Sequence, residues 1–456
     1  MTGGFQARRL AIVGLGLMGG SLAQAIRPHV ERIIGIDRDE RARQVALERG
    51  LVDRATADLK DGVNRADVVI LATPVRVIVD LLKNELGSYL RSNTLVMDIG
   101  STKQDIVAAM AALPIGVNAV GGHPVEARSI TMSTQMRIGL GQFNELTDEK
   151  LAFIKQLGAD DFLMNTPRLP GDRQWEYEDL KAAADRATAA GLRLICLESV
   201  PVSFYDKAML GLPGRDEQIA HMQTTVRNMG RAGIPILGYH WMPNSVWRTP
   251  EPAVLRGGAR GTRFNLAEHD PGELTHGRVY DAGEMWANYE YYLERLLPVA
   301  EEAGVTLALH PDDPPVESLG GVARIFRNFE GFKRAIDRFD SPNHGLDFCM
   351  GCWSEMDGHD YVIEAIRHFG GRGRIIYVHF RDVQGTVPNF NECFINEGNV
   401  DPFEVMKTLK EVGFTGFMIT DHVPAMVDDS DWGHRGRAYA IGYMTAMLEM
   451  VNRLAA

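Results

Sequence analysis

The chain of 456 residues carries a formal net charge of −12 and is 45% hydrophobic. A chain of this length exceeds one ordinary domain, so we expect two domains, one of them a barrel of roughly 250 residues or more. The acidic excess lies after residue 130, where 32 Lys and Arg face 46 Asp and Glu. This balance argues against nucleic acid and against an anionic membrane as partners.

The sequence has no run of about 18 apolar residues, and its first residues lack the apolar core of a signal peptide. We therefore expect a cytoplasmic protein whose cysteines are reduced. Cys349 and Cys352 form a lone CxxC pair. Without a second pair, this spacing supports neither a zinc ribbon nor a thioredoxin-like role.

The first apolar run leads into a glycine-rich turn. Gly14, Gly16 and Gly19 form a GxGxxG pattern before a predicted helix, and Asp37 ends the next predicted strand. The glycines permit a tight turn and the close approach of a pyrophosphate, while Asp37 can accept ribose hydroxyls. The pattern predicts an NAD site, although the neighbouring Arg38 leaves NADP open.

Further strands follow in the first part of the chain. They are predicted near residue 52 and at 68–73, 95–101 and 118–123. Half a dozen short parallel strands of this kind predict a doubly wound Rossmann domain over residues 1–124. Residues 125–135 lack any strand or helix period and are predicted to be a linker.

Four motifs of this domain resemble the nucleotide-binding half of prephenate dehydrogenases. They are the glycine-rich turn that begins at Gly14, Ala72-Thr-Pro74, Asp98-Ile-Gly-Ser-Thr-Lys103 and Gly121-Gly-His-Pro124. The resemblance implies that His123 is the catalytic hydrogen-bonding group of a dehydrogenase. The helical second domain of those enzymes has no counterpart here. Two alternatives follow: an NAD-dependent prephenate dehydrogenase activity in a bifunctional protein, and a module that binds NAD without turnover.

From residue 136 onward, apolar runs alternate with helical patterns. The strands are predicted at 137–141, 161–165, 192–199, 234–241, 305–311, 344–350, 375–382 and 416–422. Eight such repeats predict a (β/α)8 TIM barrel over residues 136–456, with a doubly wound open sheet as the alternative fold.

Four of these strands end in side chains that can bind a metal. They supply His310, Cys349, His379 and Asp421. A closed parallel barrel brings the carboxyl ends of its strands around one mouth, so the four side chains predict a shared metal site. This set suits Mn²⁺ or Fe²⁺, leaves Zn²⁺ open, and matches Mg²⁺ poorly because of the thiolate.

Other polar side chains near the strand ends are candidates for binding a substrate. Glu198 and His240 end the third and fourth strands, Asp312 can share a side with His310, and Arg381 shares one with His379.

Arg248 belongs to a long segment, residues 243–280, that is rich in Pro, Gly and Arg. We count Arg248 among the substrate-binding candidates. A connection of this length is typical of a lid or of a subunit contact in a homo-oligomer, and a purely structural excursion is the alternative.

The chemistry that such a site suggests is proton loss beside a carboxylate, followed by departure of a β-hydroxyl as water. His422 and either Tyr439 or Tyr443 are the candidate acid and base. Adjacent residues of a strand point to opposite faces, so Asp421 and His422 both reach the mouth only if the strand ends before them.

Several motifs of this part resemble the mannonate dehydratases. They include Leu197-Glu-Ser-Val-Pro201, Ala308-Leu-His-Pro-Asp-Asp-Pro-Pro315, His379-Phe-Arg381, Asn399-Val-Asp401 and Asp421-His422. The resemblance implies metal-dependent conversion of D-mannonate to 2-keto-3-deoxygluconate in hexuronate catabolism. It implies His310, Cys349, His379 and Asp421 as metal ligands. It also implies His422 and a C-terminal tyrosine, which we take to be Tyr439, as the catalytic pair. A metal-dependent sugar isomerase or epimerase on the same barrel is the alternative.

Overall fold

The computed structural model describes residues 9–73, 75–91, 94–99, 106, 109–110, 113–114, 117–121 and 135–454. Contacts divide the chain into two compact units, residues 1–130 and 131–456. Among the described residues, no helix is both long enough and apolar enough to cross a membrane.

The first unit alternates strands with helices. In chain order these are β1 (Arg9–Val13), α1 (Leu17–Ile26), β2 (Arg32–Ile36), α2 (Glu40–Glu48), β3 (Arg54–Thr56), α3 (Leu59–Val63), β4 (Val68–Leu71), α4 (Val75–Asn84), β5 (Leu95–Asp98) and β6 (Asn118–Gly121). The strands form one parallel sheet in the order β3-β2-β1-β4-β5-β6. This order confirms the predicted Rossmann fold.

Burial on both faces explains why the strands of this sheet are continuously apolar. In β1, Leu10 and Ile12 pack into one hydrophobic cluster, and Ala11 and Val13 pack into another. A strand covered on both sides gains from an apolar residue at every position. His123 and most of the predicted linker, residues 125–134, lie outside the described part of the chain.

The second unit contains the remaining elements. In chain order these are β7 (Arg137–Phe143), α5 (Asp148–Gln156), β8 (Asp161–Asn165), α6 (Tyr177–Ala189), β9 (Arg193–Glu198), α7 (Asp206–Met209), α8 (Arg215–Ala232), β10 (Ile236–Tyr239), β11 (Thr249–Val254), β12 (Arg260–Asn265), α9 (Ala282–Ala303), β13 (Thr306–Leu309), β14 (Ser318–Leu319), β15 (Val322–Ala323), α10 (Phe329–Arg338), β16 (His344–Cys349), α11 (Met350–Ala365), β17 (Ile375–His379), β18 (Val383–Thr386), β19 (Asn389–Glu392), α12 (Pro402–Glu411), β20 (Phe417–Ile419) and α13 (His434–Leu454).

Eight strands close into a barrel in the order β7-β8-β9-β10-β13-β16-β17-β20, and β20 pairs in parallel with β7. This closure confirms the predicted TIM barrel and rules out the open sheet. Aromatic and aliphatic side chains fill the barrel interior, where the rings of Tyr377 and Phe417 stack with their centroids 5.0 Å apart. A larger apolar core lies between the strands and the outer helices.

The long segment after β10 folds into part of a second sheet. Strands β11 and β12 join β19 and β18, which follow the seventh barrel strand, in an antiparallel sheet of order β11-β12-β19-β18. The sheet therefore connects the loops of two barrel strands that are distant in sequence. The predicted use of this segment as a lid or a subunit contact stays a prediction.

Candidate active site at the barrel mouth

The ends of four barrel strands deliver polar side chains to one place. His379 is the last residue of β17, Cys349 is the last residue of β16, and His310 follows β13. The metal-binding atoms of Cys349, His379 and Asp421 lie within 4.8 Å of one another, and so do those of His310, Asp347 and His379. The structure thus brings the four predicted ligands together and adds Asp347.

Asp421 reaches the mouth because its strand has already ended. Strand β20 stops at Ile419, and Asp421 has a φ of 52°, in the left-handed region. The turn frees Asp421 and His422 from the alternation of a strand, so both side chains line the same cavity. The sequence indicated that Asp421 and His422 can both reach the barrel mouth only if the strand ends before them, and the structure meets this condition.

Arg437, on α13, holds this turn in place. Its Nη1 donates hydrogen bonds to the carbonyl oxygens of Asp421 at 2.7 Å and Gly141 at 2.8 Å. It also donates to Thr420 Oγ1 at 3.0 Å. A buried guanidinium that binds several carbonyls stabilises an otherwise strained backbone.

The free donor atoms of this cluster fit a divalent metal ion. His310 Nδ1 donates to the carbonyl oxygen of Pro311 at 2.7 Å, which leaves Nε2 as the atom with a lone pair. His379 Nδ1 and Asp347 Oδ1 are buried without a hydrogen-bond partner. Buried polar atoms are seldom left unpaired, and a cation bound between His379 and Asp421 would satisfy His379 Nδ1. His310, Cys349, His379 and Asp421 could hold such an ion.

The charges around the cluster favour the anionic form of the thiol. Burial alone would raise the pKa of Cys349, but the hydrogen bond with Cys352 and the charge of Arg381 hold it well below its usual value. Burial would likewise raise the pKa of Asp421, yet His422 and His379 keep it well below the ordinary range. Thiolate and carboxylate are the forms that bind metal.

Glu198 is fixed beside the cluster by four groups of the protein. Its Oε1 accepts hydrogen bonds from Gln142 Nε2 at 2.5 Å and from Asn165 Nδ2 at 2.7 Å. Its Oε2 accepts from His379 Nε2 at 2.7 Å and from Tyr377 at 3.4 Å. The carboxylate thereby sets the ring of His379 so that Nδ1 faces Asp421.

Arg381 lies among buried carboxylates. It donates to Asp421 Oδ2 at 2.7 Å, to Glu355 Oε1 at 2.9 Å and to Asp313 Oδ2 at 3.1 Å. The acidic groups of Asp313 and Glu355 also lie close to Cys352 in a spacing that could suit a metal. The guanidinium of Arg381 already bonds one atom of each of these three residues, so we assign the second group no ion.

Arg248 joins the same network from the second sheet. It forms a two-pronged ion pair with Asp313 and donates to Glu392 Oε1 at 2.7 Å. The two arginines that were predicted to bind substrate are therefore held by carboxylates of the protein.

A cavity of about 340 Å³ opens above the cluster. Predicted site residues that line it are Glu198, His240, His310, Asp421 and His422. Sequence reasoning missed other residues that line it, among them Gln142, Asn165 and Asp313.

Two predicted residues take other positions. Asp312 is 1% exposed, and its Oδ2 accepts a hydrogen bond from the backbone of Phe326 at 2.6 Å, so its neighbour Asp313 faces the cavity instead. The hydroxyl of Tyr439 donates to Asn396 Oδ1 at 2.9 Å. The ring of Tyr439 lines a narrow pocket beside His422, and Tyr443 stacks on it with centroids 6.3 Å apart.

Asp347, Glu392 and Arg437 are site residues that sequence reasoning missed. Asp347 carried a usable signal, because it lies two residues before Cys349 in β16 and so faces the same side. The contacts of Glu392 and Arg437 join segments far apart in the chain, and no local pattern marks them.

The first unit has its own cavity, of about 440 Å³, at the glycine-rich turn. Gly14 has a φ of +100°, and a Cβ on Gly19 would lie 1.8 Å from the carbonyl oxygen of Gly14. A Cβ on Gly16 would meet no atom within 4 Å. Asp37 lines the cavity, and its Oδ2 accepts from the backbone of Leu15 at 2.6 Å. The geometry of the turn thus requires glycine at positions 14 and 19, whereas Gly16 leaves open space above the turn.

The closed barrel and the donors at its strand ends define the second unit as an enzyme of the (β/α)8 class. The model of the D-mannonate dehydratase (UxuA) family matches residues 136–279 and 272–456. The chain belongs to this family. The model of the prephenate dehydrogenase nucleotide-binding domain matches residues 22–130.

Individual relatives agree with the family match. Mannonate dehydratase 2 of Halalkalibacterium halodurans is 30% identical over 330 residues, which cover 66% of this chain and 93% of that protein. Mannonate dehydratase of Thermotoga maritima is 30% identical over 324 residues, covering 63% of this chain and 89% of that protein. The crystal structure of mannonate dehydratase from Streptococcus suis serotype 2 has a TM-score of 0.64 at 27% identity and covers 70% of this chain and 95% of that one.

Proposed function

We propose that the second unit is a cytoplasmic, metal-dependent dehydratase that converts D-mannonate to 2-keto-3-deoxy-D-gluconate and water in hexuronate catabolism. The observation that carries this proposal is the convergence of His310, Cys349, His379 and Asp421 beside His422 at the floor of one cavity. The names of the relatives supply the substrate. Mn²⁺ and Fe²⁺ suit a site of two imidazoles, one thiolate and one carboxylate.

The four ligands would hold the ion so that it draws charge from the substrate carboxylate and the neighbouring hydroxyl, acidifying the carbon between them. The protein's own groups do the rest. Glu198, Gln142 and Asn165 form a rigid polar wall along the cavity. His422 donates a proton to the departing β-hydroxyl. Tyr439, the partner that the resemblance implies, accepts the proton from carbon only if its phenolate oxygen leaves Asn396 and reaches the 340 Å³ cavity, which it does not line in this structure.

Metal analysis combined with an assay on D-mannonate tests this proposal. We expect about one metal ion per chain and the appearance of a 2-keto-3-deoxy acid, with His422→Asn lowering kcat by roughly 100-fold or more because its proton donor is lost. An epimeric hexonate serves as a control for the substrate. Interconversion of keto and aldose sugars without a dehydrated product would identify the barrel as an isomerase and overturn the proposal.

We also infer that residues 1–124 bind NAD. Support comes from the cavity at the glycine-rich turn and from the open space above Gly16. Gly16→Val should leave the fold intact, because a Cβ at this position meets no protein atom within 4 Å, and should remove NAD binding by filling the space that the pyrophosphate needs. Calorimetry with NAD on both proteins measures this, and equal affinities would contradict it.

The same experiment with NADP decides between the two cofactors, because Arg38 and Lys60 also line the cavity. Formation of NADH when prephenate is added would show that the first unit is a dehydrogenase and not only a binding module.

A further inference from the structure

Glu392 comes from the second sheet, outside the barrel, yet its carboxylate lies at the mouth. It is the last residue of β19 and is 5% exposed. Its Oε1 lies 2.8 Å from His422 Nδ1 and accepts from Arg248 Nη2 at 2.7 Å. One buried carboxylate oxygen therefore contacts both the candidate catalytic histidine and Arg248, which immediately precedes strand β11 of the same sheet.

This contact fixes which nitrogen of His422 carries a hydrogen. An ionised carboxylate can only accept hydrogen bonds, so His422 Nδ1 must be the donor. Arg248 donates to the same oxygen from both Nε and Nη2, at 3.2 and 2.7 Å, and a guanidinium in this position favours the ionised carboxylate. The nitrogen left to exchange a proton with a ligand is Nε2, on the histidine that lines the 340 Å³ cavity.

The orientation of the ring is set in the same way. Nδ1 is held by Glu392, and Nε2 lies 3.6 Å from Asp421 Oδ1 at the edge of the cluster. Arg248, which is held by Asp313, keeps Glu392 from turning away. When the orientation of a histidine ring and its protonated nitrogen are both fixed in advance, proton transfer requires less loss of conformational entropy.

We propose that Glu392 is a positioning residue that holds His422 with Nδ1 protonated and Nε2 turned to the substrate. The kinetic consequence rests on the proposed dehydration, whereas the hydrogen bond itself does not. The competing explanation is that Glu392 only balances the charge of Arg248 and stabilises the second sheet.

Proton NMR on protein labelled with ¹⁵N-histidine tests the hydrogen bond without any substrate. We expect a far-downfield imidazole N–H resonance, coupled to a ring nitrogen, that disappears in His422→Asn and moves upfield in Glu392→Gln. The resonance of His379, which donates to Glu198, should remain in both variants. Glu397→Gln is the matched control, because Glu397 lies in the same segment but pairs with Arg256 at 3.0 Å. Absence of this resonance from the wild type would overturn the proposal, even if the Glu392 variant failed to fold.

Steady-state kinetics separates positioning from charge balance. Glu392→Gln should lower kcat by about 10- to 100-fold, with KM within about threefold of the wild type and metal content unchanged. In a His422→Asn background, Glu392→Gln should cause less than about a twofold further loss, since it acts through the missing ring. A loss of equal size in both backgrounds would assign Glu392 to charge balance.

If the wild-type protein dehydrates no hexonate, the proposed function fails, and the NMR result alone decides the role of Glu392.

Discussion

Asp421 is the residue on which the charges of the barrel mouth converge. Its Oδ2 accepts from Arg381 at 2.7 Å and lies 3.5 Å from His379 Nδ1 and 3.7 Å from Cys349 Sγ. A left-handed φ at a non-glycine residue costs about 1–3 kcal/mol. The surrounding hydrogen bonds, above all those of Arg437, offset this cost. The strained backbone thereby holds the carboxylate of Asp421 at the barrel mouth.

Cys349 gives the sharpest test of the ligand set. Cys349→Ser should lower metal content and dehydration by at least about tenfold, because a neutral hydroxyl replaces an anionic thiolate among the ligands. Metal per chain, measured on folded protein after dialysis, is the deciding quantity. Full metal occupancy in Cys349→Ser would remove this residue from the site and reduce the set to His310, His379 and Asp421.

Cys352→Ser is the matched control. Cys352 lies in the first turn of α11, where its Sγ accepts a hydrogen bond from Arg381 at 3.4 Å. Its sulfur also lies within 4.8 Å of the candidate ligand atoms of Cys349 and His310. From the sequence, a residue beyond the strand end is expected to lie farther from them. A serine hydroxyl can still accept from Arg381, so we expect metal content to change by less than about threefold.

The sequence allowed the four candidate ligands to be located because each lies at or just after the end of a buried apolar strand of the barrel. Their meeting needs only a closed parallel barrel, in which all strand ends face one mouth. The partners of these ligands were not predictable in the same way. Whether Asp312 or Asp313 faces the cavity depends on one backbone hydrogen bond to Phe326, which no local pattern reveals.

At the scale of elements, the second sheet attaches the loops of the barrel to the site. Arg248 immediately precedes β11, and Glu392 is the last residue of β19. The ring of Phe390 in β19 packs 5.5 Å from that of Phe264 in β12. These strands are short and polar, and β11 contains two prolines. Such segments lack the alternation or the apolar run that predicts a strand, which is why the sequence indicated only a long loop.

Arg248→Met tests how far this sheet depends on buried charge. The change removes one buried positive charge from two carboxylates: Asp313 keeps the hydrogen bond from Arg381, and Glu392 keeps the one with His422. This loss should lower the free energy of unfolding by up to about 3–5 kcal/mol. Arg248→Lys should lower the stability less, because lysine keeps the positive charge and loses only the two-pronged hydrogen bonding with Asp313. Thermal denaturation followed by circular dichroism measures both variants.

Arg263→Met is the control for this series. Arg263 is on β12 of the same sheet and forms a similar fork with Glu268, at 2.9 and 3.0 Å, but the glutamate is 42% exposed. Water screens an exposed pair, so Arg263→Met should lower the stability far less than Arg248→Met. Equal losses in the Arg248 and Arg263 variants would show that burial of the Arg248 network contributes nothing to stability.

At the scale of the whole molecule, the fold was predictable because each unit repeats one simple pattern. Apolar strands that alternate with helices give a doubly wound sheet in residues 1–130 and a closed barrel in residues 131–456. The predicted and observed strands of the barrel agree to within a few residues, and the largest differences are at the carboxyl ends, as in β20, which stops at Ile419. At these ends the chain leaves the strand and places polar side chains in the candidate site. The apolar pattern that predicts a strand therefore no longer marks where the strand stops.

His344 links the stability of the barrel to pH. It is fully buried at the start of β16, where Nδ1 donates to the carbonyl oxygen of Phe339 at 3.1 Å and Nε2 lies 3.1 Å from the hydroxyl of Tyr239. Burial lowers the pKa of His344 from 6.5 to about 4. Between these two values the unfolded chain binds a proton that the folded chain does not, so acidification must favour the unfolded state.

We therefore expect the wild type to lose about 1 kcal/mol of stability through His344 by pH 5.5 and about 3 kcal/mol by pH 4. His344→Gln cannot titrate. It should be less stable than the wild type at pH 7.5, because it disturbs a packed core, and its deficit should shrink as the pH falls. Melting temperatures at pH 7.5, 6.5 and 5.5 measure the trend, with His221→Gln on α8 as a control for the loss of a histidine. If the stability difference between His344→Gln and the wild type stays constant or grows as the pH falls, titration of His344 does not cause the loss of stability in acid.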